Sequence, residues 1–194
     1  HRGKIEQITA MLGIDGRETI DARGLLLLPG VIDPQVHFRE PGATHKEDLS
    51  SGSRAAIRGG VTSFLEMPNC SPPTTNQARL DWKLACAARS SVANFGFFIG
   101  ASKDNLKALN TVHPACGIKI FMGSSTGDLL VDDEYLLDTI FATGDRLIAV
   151  HAEDETRIRE RSSLFLGAGN DQPSYEIHSK IRDPETALIA TQRA

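Results

Sequence analysis

In GVIDPQVHFREPG, residues 30–42, an apolar run ends in polar groups spaced like a paired metal-ligand site. Residues two apart on a strand face the same side, so Asp33, Gln35 and His37 are expected to project together. Imidazole nitrogen and carboxylate oxygen suit zinc, whereas a neutral amide oxygen binds it weakly, which makes Gln35 a poor ligand where a second histidine would serve. Arg39 offers a planar fork of donors matched to a carboxylate, or to its neighbour Glu40. In GIKIFMGSSTG, Lys119 lies among Ile118, Ile120 and Phe121, where burial favours the neutral amine. Such a lysine can act as a base, form a Schiff base, or take up carbon dioxide as a carbamate whose two oxygens bridge metal ions ~3.5–4 Å apart. It can also pair with a carboxylate or snorkel to a rim. His151, in RLIAVHAED, ends an apolar run and suits a ligand position, while Glu153, Asp154 and Glu155 read as the acidic start of a helix. Glu47 and Asp48 read the same way. Asn69, in LEMPNC, either supplies an amide donor or turns the chain ahead of Pro72 and Pro73.

The elements that must position these groups alternate along the chain. Strand-like runs cover Gly30–His37, Val61–Met67, Asn94–Gly100, Gly117–Phe121 and Leu147–His151. Helix-like stretches lie between them: Asp48–Arg58, Thr75–Ser91, Lys103–Thr111 and Asp132–Thr143, the last with Tyr135, Leu136, Ile140 and Phe141 on one side. Repeated βα units imply parallel strands with helical crossovers, either a doubly wound sheet or a (β/α)8 barrel. His37, Asn69, Lys119 and His151 are each expected at or just beyond the C-terminal end of a different strand, as barrel enzymes arrange their groups, and no glycine-rich phosphate loop follows the first strand. The expected fold is therefore α/β, a (β/α)8 TIM-like barrel. A complete barrel takes about 250 residues, so residues 30–194 are expected to be its N-terminal part, about five βα units. Residues 1–29, with β-like pieces at Ile5–Ala10 and Glu18–Asp21 around a Gly13–Gly16 turn, are expected to be part of a small β subdomain.

The 194 residues, 40% of them apolar, are enough for a sizeable core. A net charge of −4 with mixed signs gives no basic face for nucleic acid. No run approaches the roughly 18 apolar residues of a membrane span. Three cysteines, Cys70, Cys86 and Cys116, leave one unpaired and suit a reducing cytoplasm better than a disulfide framework. The chain opens on His1 without a signal-peptide pattern, which predicts an initiator methionine lying upstream.

Taken in order, PGVIDPQVHFREPG, HKEDLSSGSRAAIRGGVTSFLEMPNCSPPT, GIKIFMGSSTG and VHAEDE make the chain resemble the dihydroorotases of the amidohydrolase superfamily over nearly its whole length. The resemblance implies a zinc hydrolase that interconverts N-carbamoyl-L-aspartate and L-dihydroorotate in pyrimidine synthesis. It implies that His37, a carbamylated Lys119 and His151 are metal ligands, and that Arg39 and Asn69 hold the carboxylate of a small-molecule substrate. Gln35 and Cys70 depart from the family's usual histidine and threonine, and the general-base aspartate is expected beyond Ala194. His178 is expected in a connection before a helix near Asp183, not in the site. Allantoinases resemble the same frame but typically carry asparagine where Arg39 stands; an allantoinase or hydantoinase is one alternative. Another is a non-catalytic scaffold partnering aspartate carbamoyltransferase, and a homo-oligomer is the other assembly expected.

Overall fold

The computed structural model describes residues 4–10, 17–123, 128–166 and 174–194. Five strands, β1 (Val31–Val36), β2 (Val61–Glu66), β3 (Asn94–Gly100), β4 (Gly117–Phe121) and β5 (Ile148–His151), form one parallel sheet in the order β1-β2-β3-β4-β5. Four helices make the crossovers: α1 (Leu49–Arg58), α2 (Gln77–Ser90), α3 (Leu106–Thr111) and α4 (Glu134–Ala142). After β5 come α5 (Glu155–Leu166), α6 (Tyr175–Ile181) and α7 (Pro184–Arg193).

Strand order decides the architecture. A doubly wound sheet reverses direction at a switch point, and this one does not: each strand lies beside the next in sequence. That progression is the arc of a (β/α) barrel, with the helices on its outer face. Ile118, Ile120 and Met122 join the apolar layer with Leu80 and Ala87 of α2, Leu109 of α3 and Leu137 and Ile140 of α4. Alternation then leaves Lys119 and Phe121 on the opposite, inner side of β4.

Local chemistry sets the element ends. Asp48, Asn76, Asp133 and Asp183 each cap a helix by accepting a backbone N–H from the first turn. The expected helix at Thr75 therefore starts at Gln77, after its cap. Pro34 cannot donate to a ladder, and β1 pairing with β2 shifts register between Asp33 and Val36.

Three expectations are corrected. Ile5–Ala10 and Glu18–Asp21 form no strand, and both lie exposed. On α4, Leu137 and Ile140 carry the burial, while Tyr135 and Phe141 face outward, because the sheet lies one residue around the helix from the expected stripe. His178 sits within α6, exposed, since Tyr175–Ile181 forms a helix of its own before Asp183 caps the next. The Gly13–Gly16 turn and Ser124–Gly127 lie outside the described residues.

Candidate active site

His37 follows β1 directly and is half-buried. Its Nδ1 lies 2.7 Å from Oδ1 of Asn69, at the exit of β2. An amide oxygen only accepts, so Nδ1 carries the proton and Nε2 presents its lone pair. The bond also leaves the Asn69 amide NH₂ free to donate. Burial pushes the His37 pKa down, the Asn69 bond partly opposes this, and the positive charges of Arg39, Lys119 and His151 lower it further. Lys119, midway along β4, and His151, the last residue of β5, lie on the same inner face of the sheet, and His37 follows the end of β1.

Lys119 is 1% exposed, and its Nζ lies 5.2 Å from the centroid of the Phe121 ring. No carboxylate among the described residues pairs with it, and its burial here runs against snorkelling to a rim. Burial holds its pKa below the usual lysine value, favouring the neutral, nucleophilic amine. Its β-ladder neighbours are Gly100 on β3 and Ala149 on β5, small residues that leave room beside the long side chain. The Phe121 ring in turn stacks on His151, with centroids 6.1 Å apart.

His151 is held from below by a group that spacing alone had assigned to a helix start. Its Nε2 lies 2.6 Å from Glu153 Oε2, and Arg182 Nη1 donates to the same oxygen at 3.0 Å. The His-x-Glu spacing was the available signal, since two residues separate an imidazole from a carboxylate just past a strand end. Asp154, by contrast, does open α5, accepting the N–H of Arg157 at 2.8 Å. The exits of β4 and β5 approach so closely that a Cβ on Gly123 would lie 2.2 Å from the Glu153 carbonyl oxygen.

Arg39 adopts a left-handed backbone, φ 64°, at the turn beyond His37. It does not pair with Glu40, whose Oε2 accepts the N–H of Leu49 at 2.9 Å and whose Oε1 accepts the Cys86 thiol at 3.2 Å. The turn closes on Gly42, φ 100°, where a Cβ would lie 2.4 Å from the Ser71 carbonyl oxygen, and Ser71 N–H donates to Pro41 at 3.0 Å. The loops after β1 and β2 are thereby locked together. Gln35 is exposed, and its backbone N–H donates to Asp33 Oδ1 at 3.0 Å.

Among the described residues, no three His, Cys, Asp or Glu side chains cluster as a metal-holding group. A metal fits this donor set with Lys119 counted among the ligands, beside His37 through Nε2 and His151, each imidazole being oriented by an amide or carboxylate partner.

A profile described as the amidohydrolase family matches residues 26–178. The chain belongs to this family. A dihydroorotase of Methanosarcina acetivorans is 37% identical over 99% of this chain and 41% of its own length. An allantoinase of Deinococcus radiodurans is 33% identical over 99% of the chain and 44% of its own. Among solved structures, the L-hydantoinase (dihydropyrimidinase) of Arthrobacter aurescens superposes with a TM-score of 0.82 at 28% identity, covering 93% of this chain and 41% of that one. The chain thus spans less than half the length of these relatives, and the likeness bears out the barrel architecture expected from its strands. Among the described residues no helix is long and apolar enough to cross a membrane.

Proposed function

We propose that this amidohydrolase chain is the N-terminal part of a zinc-dependent dihydroorotase, which interconverts N-carbamoyl-L-aspartate and L-dihydroorotate in pyrimidine biosynthesis in the cytoplasm. The observation that supports the reading is the buried Lys119 on the same face of the sheet as His151, with neither Lys119 nor Arg39 paired to a carboxylate among the described residues. Curated relatives named dihydroorotase support the choice of ring.

His37, His151 and Lys119, the last as its carbamate, would hold the metal, which supplies polarisation of the ring carbonyl and activation of water. Arg39 binds the substrate carboxylate through its guanidinium fork, and the free Asn69 amide donates a second hydrogen bond. Held at two points, the ring is oriented over the inner face of β4 and β5. The aspartate expected beyond Ala194 would take a proton from the attacking water and deliver it to the leaving ring nitrogen on opening, and make the reverse transfers on closure. Residues 1–29, whose described part forms no strand, would be only part of a small β subdomain beside the barrel, and aspartate carbamoyltransferase or a second copy of the chain is the partner.

The test is metal content and hydrolysis of dihydroorotate, allantoin and hydantoin by the full-length protein. Zinc and a preference for dihydroorotate are expected. Turnover only of rings lacking a carboxylate would falsify the role given to Arg39. Gln35, a neutral amide where a second imidazole would ligate, favours one second reading, a non-catalytic scaffold for the carbamoyltransferase. Absence of both metal and turnover, with binding to that partner, would establish it in place of the enzyme.

A further inference from the structure

Lys83 and Glu66 form an ion pair that the proposed chemistry does not use. Their head groups are 2.6 Å apart and each side chain is 1% exposed. Desolvating two charges offsets much of their attraction, so such a pair is a poor source of stability and a better source of fixed geometry. Both partners reach the turns that carry the site. Glu66 ends β2 opposite Val36, the residue before His37, and Met67 N–H donates to the Val36 carbonyl at 3.0 Å. The Phe38 backbone amide, between His37 and Arg39, also favours the Glu66 carboxylate. Lys83 projects from α2, with Nζ 4.9 Å from the Phe97 ring centroid and 3.9 Å from Sγ of Cys70, the residue after Asn69.

We propose that Lys83 and Glu66 are positioning residues, a buried strut that sets the His37 turn against the Asn69 turn and so fixes the imidazole, the amide and Arg39 relative to one another. The inference rests on the site assignment above. It predicts an effect on substrate binding that stability alone does not account for.

The experiment uses the full-length protein with Lys83→Met, Glu66→Gln and the double variant Glu66→Leu/Lys83→Met. Readouts are thermal stability, KM and kcat for dihydroorotate, and the nitrogen NMR signals of the His37 ring. The single variants should lose stability and raise KM by about tenfold or more, the loss typical when a group orienting a ligand is removed. The double variant leaves no unpaired buried charge and should recover stability, yet keep the raised KM and a shifted His37 signal. A double variant with wild-type KM and His37 signal overturns the proposal. If it does not fold, Lys83→Arg decides: the charge is kept but the head group is larger, so an unmoved His37 signal overturns the proposal and a moved one supports it. If the wild-type protein hydrolyses none of the rings, the functional reading fails, while the His37 signal still decides the strut.

Discussion

Glu153 gives the clearest test of a single side chain. Its carboxylate holds His151 Nε2 at 2.6 Å, so Glu153→Gln, which keeps the shape and removes the charge, should weaken metal binding by about 10- to 100-fold. Zinc titration of the full-length protein checks this, and unchanged affinity would mean that the contact does not tune the ligand. Cys116 offers a second test. Burial pushes its thiol from 9.0 up to about 11. Because folding disfavours the thiolate, its contribution to stability is fully present below pH 9.0 and is lost as pH climbs toward 11. At pH 8, iodoacetamide should therefore modify Cys116 far more slowly in the native chain than in the unfolded one, as read by mass spectrometry; equal rates would refute the burial argument. His37 and His151 stood out as polar groups ending apolar runs, and Lys119 as a charge set inside one. Lys83 and Glu66 were not: their meaning lies in a contact between α2 and β2 that no local pattern encodes.

Helix α1 positions the first turn of the site from behind. Asp48 caps it by accepting the Ser51 N–H at 2.7 Å, and Asp48→Ala should cost about 1 kcal/mol. Urea unfolding measures the loss, and a midpoint unmoved at constant slope would show that the cap contributes nothing. All five strands and the four crossover helices were readable from apolar periodicity. Their ends were less so, since Asn76 and Asp133 look helical by pattern but serve as caps outside the first turn. The two β-like pieces near the start show the converse: alternation describes a strand only when another strand supplies its hydrogen bonds. Lys103 fails as a helix start for a related reason, because the Asn105 side chain is occupied with the carbonyls of Thr75 and Gly100 and ties the loop to the sheet.

Among the described residues, β1 and β5 are the edges of the sheet and pair with no further strand. Parallel sheets are normally covered, yet Val31 and Ile32 on β1 are 52% and 62% exposed, and Leu25–Leu28 ahead of them are 71–92% exposed. Residues 1–194 produced alone should therefore self-associate and hydrolyse none of the three rings; a monodisperse, active monomer on size exclusion would contradict this. One packing detail reaches furthest across the molecule. Gly52, in the middle of α1, is a poor helix residue, but a Cβ there would lie 2.6 Å from Cδ1 of Phe38, whose ring sits edge-on to Phe64 at 4.8 Å. If the proposed function holds, a saturation-mutagenesis screen for growth without added pyrimidine should find this outer-layer notch as intolerant as the inner face, placing a sensitive position where a map of chemical groups would leave a blank.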